Sequence, residues 1–383
     1  MSVAMVGTRG VPARYGGFET CVEEVGRRLV DRGHRVVVYC RPTDGTSAPD
    51  AVAAYLGMEL VHRRAMRKRS LETLSHTALS TAHLVRNRTD VALVFNAANA
   101  PFLPAIRAAR IPVATHVDGL EWNRAKWGGA GRRYYQLVEK LAVRWSDSLI
   151  ADAGGIADYY REKFDASTEL ISYGAPDLTA IGGDRLAEVG LQPGRFHLAV
   201  ARFEPENHVL EIVRGYVSSG AEMPLMVVGS APYSNGYTQA IHAAADHRVS
   251  LLGGVWDPEL LDQMYAGCRT YLHGHSVGGT NPSLLRALGG GAAVLAYDVN
   301  FNREVAGAAG HYFGNPERLA EQIVGAENDD ADIARLQSAV RVRAADYNWD
   351  DVTDKYEALC RRLARRSAGE SATESRPRTR TAA

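Results

Sequence analysis

Residues 3–39 read VAMVGTRGVPARYGGFETCVEEVGRRLVDRGHRVVVY and contain a complete strand–loop–helix–strand unit. Val3–Gly7 is a short apolar strand, and a loop rich in Gly and Pro follows it. From about Phe18 the pattern is helical, because the apolar residues fall on one face: Val22, Val25 and Leu29. Gly33 suits the C-terminal cap of this helix, and residues 36–39 are the next buried strand.

The same alternation of short apolar runs and amphipathic helices continues along the chain, and it is typical of a parallel α/β architecture. Further strands are expected at residues 91–95, 112–115, 148–151, 197–201, 225–229, 249–252, 270–273 and 293–296. The turn-rich segment Tyr173–Asp177 separates two series of strands. Residues 1–175 and 176–345 are therefore predicted to form two doubly wound, Rossmann-like domains that face a central cleft.

Length and charge agree with this arrangement. A chain of 383 residues is expected to form about two domains. The 44 Lys and Arg residues balance 44 Asp and Glu residues, which argues against nucleic acid as a main partner. A hydrophobic content of 46% and a charged content of 23% exclude a largely disordered chain. Residues 367–383 have nothing to bury and are predicted to be a disordered tail.

Cysteine usage and hydropathy indicate a cytoplasmic protein. No apolar run is long enough to cross a bilayer, and the N-terminus lacks the character of a signal peptide. The four isolated cysteines are expected to be buried thiols: Cys21, Cys40, Cys268 and Cys360. Peripheral contact with the anionic inner face of the cell membrane would use a basic cluster, for which a solvated helix face is the alternative. Its residues are Arg63, Arg64, Arg67, Lys68 and Arg69.

Two glycine-rich turns lie between a strand and a helix, where backbone amides and the helix N-terminus attract anions. The first, GTRGVPARYGGFE at residues 7–19, is unusually long but lacks the glycine spacing of a dinucleotide-binding loop. A purely structural turn is the alternative there. The second, GHSVGGTNPSLL at residues 274–285, has the form of a diphosphate site. It predicts Asn281 as the N-cap and Pro282 as the first helical residue.

Two further motifs follow strands at the expected mouth of the cleft. In ARFEPEN, residues 201–207, the guanidinium of Arg202 suits the phosphates of a leaving group, or else pairs with a neighbouring glutamate. In HVDGLEW, residues 116–122, the side chains of His116 and Asp118 offer acid–base or hydroxyl-binding chemistry.

Four motifs in this order resemble one bacterial group: YGGFET at 15–20, HVDGLEWNRAKWG at 116–128, ARFEPEN at 201–207 and HSVGGTNPSLL at 275–285. The chain is similar to the retaining, nucleotide-sugar-dependent glycosyltransferases of family 4, in particular the rhamnosyltransferase-like subgroup of capsule and cell-wall polysaccharide synthesis. The resemblance extends from Val3 to about Leu363. It implies the GT-B fold, with the acceptor in the N-terminal domain and the nucleotide sugar mostly in the C-terminal domain. A C-terminal helix at residues 346–366 would cross back to the N-terminal domain.

The resemblance also implies roles for single residues. His116 would contact the donor sugar near its reacting end, Asp118 would bind a hydroxyl or the acceptor, and Arg202 would bind phosphate. The other donor-binding residues would be Gly16, Gly17, Asn207, Gly229, Val255, Gly279, Thr280, Asn281, Pro282, Ser283 and Arg286. No cofactor or metal is implied besides the nucleotide sugar, because fixed positive groups and a helix dipole stabilise the departing diphosphate. The DxD at residues 330–332 is expected to be solvated surface.

Three positions depart from the pattern of most family members. Gly278 and Arg286 stand where two glutamates are usual, and Asn207 stands where many members have a phosphate-binding lysine. The subgroup also lacks the first glutamate and tolerates Asn207, so Arg286 is the unexpected change. An arginine cannot accept hydrogen bonds from ribose hydroxyls, and it would instead bind phosphate or pair with Glu304.

The sequence thus predicts a metal-independent, retaining glycosyltransferase that moves a sugar to a glycan or lipid-linked glycan acceptor. The resemblance favours rhamnose from dTDP-rhamnose, and a 2′-deoxyribose would also make loss of the glutamate less damaging. The alternative is a catalytically degenerate nucleotide-sugar-binding partner of an active enzyme, motivated by Arg286 and Asn207. A GT-B epimerase or phosphorylase has the least support, because no further carboxylate pair or cofactor lysine is evident.

Overall fold

Two β-sheets organise the chain in the computed structural model, which describes residues 1–13, 16–42, 53–66, 72–117, 120–123, 128–230 and 235–374. The first sheet contains β1 Ser2–Val6, β2 Arg35–Cys40, β3 Ala54–Tyr55, β4 Met58–His62, β5 Val91–Phe95, β6 Val113–His116, β7 Ser148–Ala151 and β8 Glu169–Leu170. The second contains β9 His197–Val200, β10 Leu225–Val228, β11 Val249–Gly253, β12 Thr270–His273, β13 Ala293–Tyr297 and β14 Gly310–Phe313.

Helices cover both sheets. The N-terminal domain contains α1 Gly17–Asp31, α2 Glu72–Arg86, α3 Leu103–Ala108, α4 Gly129–Trp145 and α5 Gly154–Phe164. The C-terminal domain contains α6 Val209–Ser219, α7 Asn235–Ala244, α8 Pro258–Gly267, α9 Pro282–Gly289, α10 Asn300–Ala306, α11 Pro316–Asn328 and α12 Asp330–Ala344. The last helix, α13, spans Trp349–Glu374.

Strand order explains where a ligand can lie. The first sheet has the order β3-β4-β2-β1-β5-β6-β7-β8, and within it β3 pairs antiparallel with β4. The second has the order β11-β10-β9-β12-β13-β14, with parallel pairs throughout. Because the carboxyl ends of parallel strands share one edge, the loops that follow them gather there. The prediction of two doubly wound domains is confirmed.

Burial explains which strands the sequence predicts. All residues of β5 and of β10 are buried, as expected for strands covered by helices on both faces. The prediction omits β3, β4, β8 and β14. The first and third are two residues long, β4 reads MELVH with an exposed Glu59, and β14 reads GHYF, so each lacks a continuous apolar run.

The chain crosses between the domains twice, and the crossings contact each other. The amide of Ala175 donates to the carbonyl of Tyr347 over 2.7 Å. A Cβ placed on Gly174 would lie 2.4 Å from Cδ2 of Trp349, so glycine lets the first crossing lie flat on the indole. Helix α13 then returns to the N-terminal domain, where Asp350 pairs with Arg28 over 2.8 Å.

The end of α13 differs from the expectation. The helix runs to Glu374, so the first eight residues of the predicted tail, from Ser367, are helical. This stretch reads SAGESATE, and its alanines and glutamates are good helix formers that prolong a helix without needing a packed face. The rest of the predicted tail lies outside the described residues.

Two expectations about composition are tested by the structure. All four cysteines are unpaired and buried, which confirms the prediction of buried thiols. None of the helices within the described ranges combines the length and the apolar character that crossing a bilayer requires.

Candidate functional site

The N-termini of two helices, one from each domain, meet at the edge where the strands end. Helix α1 begins at Gly17 and α9 begins at Pro282. A Cβ placed on Gly17 would lie 3.0 Å from Cγ of Pro282 and 3.1 Å from Cε2 of Tyr173. Each helix N-terminus carries a partial positive charge and free amide groups, so this meeting point favours an anion.

The loop before α1 is held by carboxylates of the helix itself. The amide of Arg9 donates to Glu19 over 3.0 Å, and the amide of Ala13 donates to Glu23 over 2.6 Å. Gly16 has a φ of 109°, which a residue with a side chain rarely adopts, and it caps α1 without any side-chain hydrogen bond. The paired glycines therefore leave the end of α1 accessible to a ligand.

His116 lies beneath this helix end, in an aromatic enclosure. Its ring stacks between Phe95 and Tyr173, each 5.7 Å away, and meets the edge of Phe18 at 5.0 Å. Burial lowers the pKa of His116 to about 3. Neither ring nitrogen has a hydrogen-bond partner among the described residues. The ring is thus neutral near pH 7 and keeps its capacity to hydrogen-bond a hydroxyl.

The second glycine-rich turn has the predicted helix cap. The side chain of Asn281 accepts from the amide of Ser283 over 3.0 Å, and Pro282 is the first residue of α9, so both predictions are confirmed. The hydroxyl of Ser283 donates to Asn281 over 2.8 Å and receives the hydroxyl of Tyr271 over 3.0 Å. This network holds the first turn of α9 rigidly in place.

Two residues of this turn contact the N-terminal domain. The hydroxyl of Thr280 donates to the carbonyl of Asp152, directly after β7. A Cβ on Gly279 would lie 2.1 Å from Oδ1 of Asp152, so a larger residue there would displace the Asp152 carboxylate. In this structure the predicted donor-binding residues Gly279 and Thr280 therefore join the domains.

The loop after β9 carries Arg202 with its side chain 48% exposed. One guanidinium nitrogen lies 3.6 Å from Glu204, a single long contact that is worth little at such exposure. The side-chain amide of the buried Asn207 donates to the backbone carbonyl of Arg202 over 2.8 Å. Arg202 is therefore available for a phosphate, whereas Asn207 supports the loop that carries it.

The other two predicted contacts lie on neighbouring loops. Gly229 follows β10 with a φ of 139°, and a Cβ there would lie 1.8 Å from the carbonyl oxygen of Ala201. Val255 follows β11 and precedes Trp256, whose side chain is 70% exposed. Both positions share the strand-end edge with Arg202, as the strand order requires.

Arg286 has a different partner from the one expected. Its guanidinium pairs with Asp262 on α8 and lies 5.7 Å from the ring centre of Tyr265. The alternative of a pair with Glu304 is wrong, because the carboxylate of Glu304 accepts from the amide of Gly154 over 2.6 Å. Helices α8 and α9 pack side by side, and this brings Asp262 within reach of Arg286.

Two further predictions concern Asp118 and the DxD at residues 330–332. Asp118 lies outside the described residues. Asp330 and Asp332, of the DxD, occupy the first turn of α12, where they pair with Arg269 over 2.6 Å and with His311 over 2.8 Å. Among the residues that the structure describes, no three His, Cys, Asp or Glu side chains form a group suited to a metal ion.

The structure also reveals residues that sequence reasoning misses. Tyr173 falls in the segment read only as a domain boundary, yet its ring contacts both His116 and Gly17. Asp152 directly follows the buried strand β7, and His116 ends the neighbouring strand β6. A polar residue at the end of a buried strand is a signal that could have identified Asp152. Glu304 is predicted only as an alternative partner of Arg286, and no local pattern points to its contact with Gly154.

Comparisons with known proteins give a family match for the N-terminal domain and similar folds for the chain. Residues 16–174 match the family described as a glycosyl transferase 4-like domain. A search of curated proteins found no match.

Three solved structures illustrate the similarity of fold. Sucrose-phosphate synthase from Thermosynechococcus elongatus is 18% identical, with 94% of this chain and 98% of that chain covered and a TM-score of 0.78. HepE of Anabaena in complex with UDP is 16% identical over 95% and 100% of the two chains, with a TM-score of 0.73. The trehalose-phosphate synthase of Burkholderia xenovorans with glucose-6-phosphate is 12% identical over 94% and 99%, with a TM-score of 0.72.

The identities are low, so these structures establish the architecture and leave the substrates open. The described part of the chain has the GT-B fold expected from the sequence, with one Rossmann-like sheet in each of two domains. Residues 16–174, within the N-terminal domain, are similar to a glycosyl transferase 4-like domain, and the similar solved structures have the same two-sheet fold.

Proposed function

We propose that this chain is a retaining, metal-independent glycosyltransferase that transfers a sugar from a nucleoside-diphosphate sugar to a glycan or lipid-linked glycan. The observation that carries the proposal is the meeting of two helix N-termini, at Gly17 and Pro282, beside the exposed Arg202 loop. A nucleoside diphosphate carries negative charge that such amide groups and a guanidinium can neutralise.

The proposed reaction exchanges one bond at the anomeric carbon for another. The bond from this carbon to the diphosphate oxygen breaks, and the oxygen of the acceptor hydroxyl bonds to the same face. The hydroxyl proton passes to the departing diphosphate. Because the new bond forms on the face that the diphosphate leaves, the configuration is retained. Arg202 and the amides at the start of α9 stabilise the charge that develops on the leaving group. The neutral ring of His116 binds a hydroxyl of the donor sugar.

Rhamnose from dTDP-rhamnose is the proposed donor sugar, on the motif resemblance. Arg286 agrees with a donor that lacks the ribose 2′-hydroxyl, because its guanidinium donates hydrogen bonds and is engaged by Asp262. HepE was solved with UDP, so UDP-sugars are the first comparison donors.

A donor panel and one substitution test this function. At one hundred times its Kd, the correct sugar nucleotide stabilises the protein by about 2.7 kcal/mol, which thermal shift detects among dTDP-, UDP- and GDP-sugars. Arg202→Ala is expected to lower transfer about 100-fold because the leaving group loses a charged donor. Arg214→Ala, on the exposed face of α6, is the matched control. Wild-type protein that neither transfers nor hydrolyses any panel donor would contradict the proposal.

A nucleotide-sugar-binding partner without activity is the second candidate. The observation in its favour is that Asn207 and Arg286 are both engaged by neighbours, in hydrogen bonds to Arg202 and Asp262 respectively. Among Arg202, Asn207 and Arg286, this leaves Arg202 alone to offer a positive charge to the diphosphate. Calorimetry that shows nucleotide binding in a protein without turnover would favour this candidate, and measured transfer would exclude it.

A peripheral membrane contact at the cytoplasmic face is part of the proposal. Arg63 and Arg64 follow β4, and Arg64 and Met66 are exposed. The remaining members of the basic cluster, Arg67, Lys68 and Arg69, lie outside the described residues. Sedimentation with phosphatidylglycerol vesicles, but not with phosphatidylcholine vesicles, is the expected result, weakened by salt.

A further inference from the structure

Glu304 makes a contact that the reaction proposed above does not use. It lies on α10 of the C-terminal domain, and its carboxylate accepts from two amides of the N-terminal domain. These are the amide of Gly154 over 2.6 Å and that of Gly155 over 3.4 Å. Both belong to the first turn of α5, whose partial positive charge favours a carboxylate.

The main chain around Glu304 is tied to the second domain crossing. The guanidinium of Arg343 donates to the carbonyl of Glu304 over 2.5 Å and to that of Val305 over 2.8 Å. The hydroxyl of Tyr347 lies 3.3 Å from the same Glu304 carbonyl. The segment that carries the carboxylate is therefore held in position by the crossing itself.

Residues 152–155 of the N-terminal domain also contact the turn before α9. Asp152 lies two residues before Gly154. Its backbone carbonyl accepts from the Thr280 hydroxyl, and its carboxylate packs against Gly279. A Cβ on Gly155 would lie 2.8 Å from Nδ2 of Asn300, so the surfaces touch closely. Contacts from Glu304 and from the turn before α9 thus converge on residues 152–155.

We propose that Glu304 is a positioning residue that holds the domains together at residues 152–155 and thereby sets the turn before α9 for donor binding. Its effect on transfer rests on the proposed function, whereas its effect on domain spacing does not. Loss of the contact lowers the fraction of molecules in which the domains keep this spacing, and the apparent affinity for a ligand that binds both domains falls in proportion.

Glu327 provides a matched control. Its carboxylate also accepts from two backbone amides, those of Glu222 over 2.9 Å and Met223 over 2.8 Å. Both amides belong to its own domain. The Glu327 carboxylate also lies 3.1 Å from Nε2 of His197, again in its own domain. Glu304→Gln and Glu327→Gln therefore both remove a charge that two backbone amides stabilise, and of the two only Glu304→Gln removes a contact that joins the domains.

Spin labels on Arg88→Cys and Glu317→Cys, one exposed position in each domain, report the spacing without any substrate. The native cysteines are buried, which favours labelling of the introduced ones. Glu304→Gln is expected to lengthen and broaden the distance distribution, and Glu327→Gln to leave it unchanged. Gly155→Ala tests the same contact from the other side, since its methyl group meets Asn300 and Phe301 while alanine favours the helix.

UDP is the ligand probe. Glu304→Gln is expected to weaken UDP binding about tenfold in calorimetry and to raise the donor KM more than it lowers kcat. Unchanged spacing in both Glu304→Gln and Gly155→Ala would overturn the proposal, as would an equal change in Glu327→Gln. If the parent protein binds no UDP and transfers no sugar, the proposed function fails, while the distances still decide the role of Glu304.

Discussion

Each domain ends one inner strand in a buried histidine, and the two histidines differ in their hydrogen-bond partners. His116 ends β6 and His273 ends β12, and both are essentially inaccessible to solvent. Burial lowers the pKa of each ring to about 3. Both rings contact aromatic neighbours, but Nδ1 of His273 also lies 3.4 Å from the hydroxyl of Tyr271.

The difference in hydrogen bonding indicates different roles for the two histidines. Tyr271 links His273 through Ser283 to Asn281, the cap of α9, so the histidine of the C-terminal domain belongs to a network that shapes a helix end. Both nitrogens of His116 lack a partner among the described residues, whereas His273 lacks one at Nε2 alone. Burying such groups is costly unless a ligand engages them. We infer that His116 serves binding and His273 serves structure.

The largest expected effect comes from His116→Phe. The phenyl ring retains the stacking on Phe95 and Tyr173 and removes both nitrogens. We expect the melting temperature to stay the same or rise, because two unpaired buried polar atoms are lost. Transfer is expected to fall about 100-fold, in line with the loss of one donor in a preorganised site. Unchanged transfer, measured beside His273→Phe, would contradict the assignment.

The second effect is a loss of stability in acid. Both histidines have an ordinary pKa of 6.5, which burial lowers to about 3 in the folded protein. Between these values the unfolded chain binds protons that the folded chain does not, so stability is complete above pH 6.5 and decreases as pH falls towards 3. Each histidine should cost about 2 kcal/mol at pH 5.

Urea denaturation between pH 7 and pH 5 measures this slope. The His116→Phe variant should show a slope smaller by one proton, and His273→Phe should show the same reduction. An unchanged slope in either variant would mean that the ring is protonated in the folded state.

A smaller effect is expected for the cap of α9. Asn281→Ala should lower the free energy of unfolding by about 1 kcal/mol and also weaken UDP binding. Asn315→Ala is the control, since Asn315 caps α11 by accepting from the amide of Arg318 over 2.8 Å. Equal stability loss with unchanged UDP affinity in the control would locate the binding effect at α9. Weaker UDP binding in both variants would argue against a special role for this helix end.

The smallest effect is the coupling within the network. Tyr271→Phe and Asn281→Ala act on the same Ser283 hydroxyl, so their effects on stability should not add. A double-mutant cycle is expected to give an interaction energy of about 0.5 kcal/mol. Strict additivity would show that the two sides of the network are independent.

Much of the fold and part of the site follow from local pattern. The sequence predicts the buried strands and the cap at Asn281, because each depends on a few neighbouring residues. For the same reason it places Gly17, His116 and Arg202 at or after the ends of strands. The partners of Arg286 and Asn207 are not legible in this way. Arg286 finds Asp262 through the packing of two helices, and Asn207 folds back on its own loop.

The sequence by itself therefore determined two α/β domains, their strands, and glycine-rich turns at strand ends, because hydrophobic periodicity and helix capping are local properties. Tertiary structure decided the rest. It brought Gly17 to Pro282, placed Asp152 under Thr280 and set Glu304 on the amides of Gly154 and Gly155. These pairs are 128 or more residues apart in the chain, and only the packing of one domain against the other brings them together.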